Sequence, residues 1–221
     1  MRTKQTQRRI GAVRRHRLAL ALVGAMAMPA TALAQTLPSG GLVVPGSGDA
    51  TVNYSGNTMT VTQTTKGAII NWGSFSIGNG YGVTFDQQFG NTSVTLNRVV
   101  GFGYGYGPSP SNIGGTLTSN GTVFLINTAG IMFSGGATIN VGGLIATTVD
   151  MSNTAFDAGV AGNTYVFDIA GRSADVENYA QINAAAGGTV AFLGQNITNF
   201  GDINAPGGTV AFGAANAATI R

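Results

Sequence analysis

Cysteine is absent from the 221 residues, and the one histidine, His16, lies in a basic N-terminal stretch. The first absence removes disulfides and thiolate metal ligands. The second leaves everything after that stretch without the base of a Ser-His-Asp or Cys-His site and without a histidine-held zinc. Charge is scarce as well: Asp, Glu, Lys and Arg make up 9% of the chain, against about 25% in globular proteins. Long apolar runs are missing too. Residues 18–28 (LALALVGAMAM) fall short of the roughly 20 residues that a membrane span needs, so no integral anchor is expected.

That apolar stretch has another reading. Arg2, Lys4, Arg8, Arg9, Arg14, Arg15 and Arg17 precede it without one acid, and Pro29 and Ala32-Leu33-Ala34 follow it. A basic head, an apolar centre and an A-x-A site describe a secretory signal peptide over residues 1–34, cleaved after Ala34 and before Gln35. Its removal reverses the charge. Lys66, Arg98, Arg172 and Arg221 then face all eight acids, a formal −4, and the sequence pI of about 9.5 belongs to the leader. No nucleic-acid partner is expected, because four cations against eight acids leave no basic face to meet phosphate.

What is present is glycine, 35 residues of it, set among short runs of Val, Ile, Phe and Thr. Residues 120–148 (NGTVFLINTAGIMFSGGATINVGGLIATT) hold β-type runs at 122–126, 131–133, 138–141 and 144–148, separated only by NTAG, SGGA and GG. None approaches the length of a helix, and the breakers permit sharp corners. Strand, corner, strand, corner describes a β-solenoid, each coil burying its inward residues against its neighbours. Towards the C-terminus QINAAAGGTVAF recurs as DINAPGGTVAF, and the two copies of Thr189-Val190-Ala191-Phe192 lie 20 residues apart. Val190, Phe192, Val210 and Phe212 are expected inside the coil, Thr189 and Ala191 outside. Asn140, Asn183 and Asn204 are expected to stack as a corner ladder, and the spacing suggests about nine coils.

The ends and interruptions can be placed too. Residues 50–54 and 58–63 alternate around Ser55-Gly56-Asn57 as a hairpin, and residues 35–65 are read as a cap over the first coil's open edge. Residues 66–221 form the solenoid, with an excursion over about 150–180, read as a hairpin around 163–169. Trp72 is assigned to the core. Gly101-x-Gly103 precedes Pro108 and Pro110 instead of a helix, so it is read as an exposed loop displaying Tyr104 and Tyr106, not as a nucleotide cradle. The last coil ends without a visible cap, which suggests the N-terminal part of a longer protein, or a truncated relative.

The central stretch carries a resemblance. INTAGIMFSGGATINVGGLIATT is similar to the signature of the secretion (TPS) domain of filamentous haemagglutinin-type exoproteins, the TpsA passengers of two-partner secretion. Ile126, Asn127, Gly130, Ile131, Phe133, Gly136, Ala137, Val141, Gly142, Gly143, Leu144, Ala146, Thr147 and Thr148 match. Thr128-Ala129 stands where that family has Pro-Asn. INWGSFSIGNGYGVTFDQ resembles its early segment, and Leu96, Asn97, Arg98 and Val99 its LNRV run. The resemblance implies an all-β, right-handed parallel β-helix and a non-enzymatic secretion domain leading a surface adhesin of a Gram-negative bacterium. Its partner would be an outer-membrane TpsB-type β-barrel transporter with POTRA domains, with a host or bacterial surface receptor downstream. Transporter recognition is assigned to Leu96, Asn97, Arg98, Val99, Asn127, Gly130 and Ile131, together with the cap strands. The chain would cross the inner membrane and end up secreted or at the cell surface.

The alternative is a β-helix carbohydrate-active enzyme or lectin. A hydrolase needs two carboxylates about 5 to 9.5 Å apart, and Asp168, Asp175 and Glu177 form the one cluster available. Asp175 and Glu177 would share a strand face. No calcium-loop motif accompanies them, and no metal or other cofactor is expected.

Overall fold

The computed structural model describes residues 37–103, 105, 107–169 and 174–221; the leader, its cleavage site at Ala32, Ala34 and Gln35, and Tyr104, Tyr106 and Arg172 lie outside them. Short β-runs joined by small-residue corners cannot pair with themselves, so each pairs in parallel with its counterpart one coil away. The result is a parallel β-solenoid of three faces. The broad face carries Gly67–Trp72, Val94–Val99, Thr122–Ile126, Gly143–Thr147, Thr189–Gly194 and Thr209–Ala214, stacked in that order. A second face runs from Thr58–Gln63 through Gly82–Gln87, Thr116–Ser119, Thr138–Val141 and Gln181–Ala184 to Ile203–Asn204. A shorter face stacks Ser111–Ile113, Ile131–Phe133, Val176–Asn178 and Ile197–Asn199.

The broad face shows about six coils, not nine. Residues expected to make further coils are used in the loop after Val99 and in the excursion after Thr148. At about 4.8 Å per coil, six coils rise roughly 25–30 Å. The 20-residue repeat is in register as read: Thr189 pairs with Thr209, Val190 with Val210 and Phe192 with Phe212. Val190 and Phe192 are buried, but Val210 and Phe212 in the last coil are 46% and 49% exposed, since their outer side has no described coil against it. At the first coil, Leu42–Val43 pairs antiparallel with Gly67–Trp72, and Ala50–Ser55 forms an antiparallel hairpin with Thr58–Gln63. The latter strand is also parallel to Gly82–Gln87 and so already belongs to the solenoid.

Two cores follow from the alternation. Inside the coil, Trp72, Phe75, Phe85, Leu117, Leu125, Phe133, Ile139, Leu144 and Phe192 fill the prism. On the outside of the broad face, Ile69, Leu96, Phe124, Ile145 and Ala191 form a second apolar layer. Ala191 thus points outward as read, yet is buried. The cover is the excursion, which is not a hairpin. It is a helix, Asn153–Gly162, followed by a strand, Tyr165–Phe167, that pairs antiparallel with Ala218–Ile220. Ser152 caps the helix by accepting from the Ala155 N–H, and Asn163 ends it in the left-handed conformation. Phe156, Tyr165 and Phe167 pack around Phe124, with ring centroids 4.7–6.2 Å apart.

The corner between the second and broad faces explains the GG pairs. A Cβ on Gly188 would lie 2.1 Å from the Gly142 carbonyl oxygen, and one on Gly142 would lie 2.6 Å from that of Gly121. The backbones stack too closely there for any side chain.

Candidate functional site

The two segments singled out in sequence lie on neighbouring coils. Asn97 is buried inside the prism, where its Oδ1 accepts from Trp72 Nε1 at 3.0 Å and its Nδ2 donates to the Phe124 carbonyl at 3.2 Å. Leu96 faces the opposite way and is buried beneath the helix; Val99 is buried inside. Arg98, alternating outward, reaches the start of the excursion. Its Nε donates to Asp150 Oδ1 at 2.9 Å, its Nη2 to the Met151 carbonyl at 2.7 Å and its Nη1 to Asn153 Oδ1 at 2.9 Å. One guanidinium therefore ties the broad face to the first turn of the helix, using the planar fork that suits arginine and not lysine. It is the one ion pair among the described residues. Asp150, Met151 and Asn153 are the partners that sequence reading missed, and nothing in their spacing from Arg98 announces them.

The second segment is a corner. Asn127 is fully buried; its Oδ1 accepts from the Ala129 N–H at 3.0 Å, and its Nδ2 donates to the Ser109 carbonyl at 2.8 Å and Ser111 Oγ at 2.9 Å. Gly130 turns there with φ at 116°, and Ile131 is buried inside. Thr128 and Ala129 are the partly exposed residues of the loop. Asn178, one coil on, repeats the device: its Oδ1 accepts from the Ala180 N–H and its Nδ2 donates to Asn199 Oδ1 at 2.8 Å. The expected ladder of Asn140, Asn183 and Asn204 lies within the strands of the second face and not at a corner, on their outward side: Asn183 donates to Asn140 Oδ1 at 2.9 Å, and Asn204 pairs with Asn183 in register. Buried amides at corners satisfy backbone groups that no strand partner reaches.

The acids do not assemble as a trio. Asp175 and Glu177 line a groove of about 360 Å³ beside the Asn127 corner, with Pro110, Asn112 and Met132, while Asp168 lies outside it. Asp175 accepts from Asn196 Nδ2 and Glu177 from the Tyr179 hydroxyl, each at 2.9 Å. That bond to Glu177 raises the Tyr179 pKa above its ordinary value, and burial pushes Tyr165 up to about 12. Among the described residues no group of three or more acidic or histidine side chains could hold a metal ion. No helix among them is long and apolar enough to cross a membrane.

A family model described as the TPS secretion domain matches residues 34–220. The chain belongs to the TPS secretion domain family. The TPS domain here is 32% identical to the HMW1 secretion domain from Haemophilus influenzae, whose crystal structure superposes with a TM-score of 0.71 over 82% of this chain and 46% of that one. Two proteins named heme/hemopexin-binding protein, both from Haemophilus influenzae, are 42% identical over 134 residues and 39% identical over 109. Those matches take in 61% and 49% of this chain but 14% and 11% of the relatives, so the TPS domain corresponds to a small part of each. Within the fold, the signature over residues 126–148 supplies one strand each of the short, second and broad faces and the corners between them.

Proposed function

We propose that this TPS domain is the non-enzymatic secretion signal of a TpsA-type exoprotein, recognised by an outer-membrane TpsB-type β-barrel with POTRA domains. The match of the family model over residues 34–220 carries this reading. Residues 1–34 act as the signal peptide, with Ala32 and Ala34 flanking the cut before Gln35, and the chain passes from the periplasm to the outside. The downstream role is adhesion; the heme- and hemopexin-binding names of two relatives supply a second reading, capture of a ligand by the rest of the exoprotein. For a catalytic role, support is thin: residues 35–221 have no His or Cys, and Asp175 and Glu177 each hold a neighbouring side chain.

Recognition is assigned to Leu96, Asn97, Arg98, Val99, Asn127, Gly130 and Ile131. All but Arg98 have their side chains or Cα inside packed structure, so a transporter that reads them must do so before the coils close. On the closed domain only the Thr128-Ala129 surface of that corner is within reach. The test is co-expression with the cognate transporter, scoring secreted against periplasmic protein. Deletion of residues 126–131 is expected to abolish export, and Thr128→Pro with Ala129→Asn to raise it. Asn127→Ala separates the cases: export lost in a variant whose melting temperature stays near that of the parent supports side-chain reading. Parental export from the deletion variant would refute the assignment.

A further inference from the structure

Among the described residues the cations are Lys66, Arg98 and Arg221, and Arg98 is committed to Asp150. The other two make no ion pair, and both line one cavity of about 420 Å³. This is an unusual concentration in a chain whose residues 35–221 carry a formal −4. The cavity lies between the C-terminal end of the helix and the part of the broad face that the helix leaves uncovered. Phe124 and Ile145, buried in the outer apolar layer, line it together with Val160 from the helix and Tyr165 from the following strand. No Asp or Glu side chain lines it. The Tyr165 hydroxyl has no hydrogen-bond partner among the described residues, and a phenol is neutral near pH 7, so this lining residue can supply a donor.

An apolar wall, a neutral hydroxyl donor and two unpaired cations complement a molecule with one anionic head and a greasy body. We propose that this cavity binds a small amphipathic carboxylate, with its apolar part against Phe124, Ile145 and Val160 and its carboxylate towards Lys66, Arg221 and the Tyr165 hydroxyl. At the roughly 30 Å³ that a small group occupies in a liquid, the space holds about a dozen non-hydrogen atoms, the size of decanoate. The cavity needs no transporter, and its occupancy is independent of the secretion reading.

Calorimetric titration of the full chain with decanoate, acetate and decyltrimethylammonium, all below micelle-forming concentrations, tests it. Decanoate is expected to bind saturably at one site, whereas acetate, which lacks the apolar part, and decyltrimethylammonium, whose head is cationic, should not. Lys66→Gln and Arg221→Gln should each weaken decanoate about threefold, and together about tenfold, as loss of partly exposed charge pairs does. Both positions are exposed, so the variants should keep the parental melting temperature. Equal binding of the cationic amphiphile, decanoate affinity unchanged in the double variant, or no saturable binding would each overturn the proposal.

Discussion

Tyr165 shows how a single side chain can couple the excursion to solution conditions. It packs edge-on against Phe124, and burial lifts its pKa from the usual 10 to about 12. The folded state then holds the phenolic proton more tightly than the unfolded chain does, so the stabilisation is complete below pH 10 and is lost as pH rises from 10 to 12. Urea unfolding across that window should show stability falling with pH in the parent and falling less steeply in Tyr165→Phe. The two should run parallel between pH 7 and 9. Arg98 is the complementary case at this scale, a charge whose partners Asp150, Met151 and Asn153 span the entry to the helix and its first residue. Sequence patterns marked Arg98 as special because cations are rare, but the pattern is silent on its partners, which lie more than fifty residues away.

The helix is the element that sequence reading missed. Its buried residues are only Phe156 and Gly159, with Ala155 and Val160 partly buried beside them. Gly159 and Gly162 lower its intrinsic propensity, so docking holds it more than local preference does. Gly159 is required by contact, since a Cβ there would lie 2.2 Å from the Tyr165 ring. The available signals were the Ser152 cap, the Phe156–Val160 spacing of four and the Gly162-Asn163 stop. Phe156→Ala should cost about 3–5 kcal/mol, the usual price of emptying a large aromatic site. Hydrogen exchange should show the loss concentrated in residues 150–169 and 218–220, with the prism strands protected as before. Protection lost equally across the broad face would mean that the helix is integral to the coils. The strands, by contrast, were legible, because runs such as TVFLI and TVAFLG bounded by Gly and Asn have no other stable use. Their continuous apolar character is that of strands covered on both sides, but the alternation read from sequence put Ala191 outside and left that cover unanticipated. The segments proposed for recognition were legible as motifs and not as surfaces. In a doubly covered strand, the alternation that usually marks the exposed residues is gone, and Leu96 and Asn97 are buried on opposite sides.

For the molecule as a whole, stability comes from neighbouring coils, in the manner of repeat proteins. Among the described residues, 122–147 have a coil on either side, whereas Thr209–Ala214 has one on a single side and is largely exposed. Amide exchange should therefore be slowest in Thr122–Ile126 and Gly143–Thr147 and clearly faster in Ile203–Asn204 and Thr209–Ala214. Uniform rates along the stack would indicate all-or-none opening instead. The explicit repeat over residues 182–212 gave the length of one coil, about 20 residues, but overstated the number of coils, because the loop after Val99 and the excursion consume residues without adding height.

The pairing of Tyr165–Phe167 with Ala218–Ile220 gives the fold a direction in time. In a polypeptide emerging amino end first, the outer flap would wait for some fifty further residues before its seam could be sewn. Until then Tyr165–Phe167 would have no strand beside it. Once the seam closes, the final stitches fasten material that arrived much earlier, and backward slippage would require undoing them first.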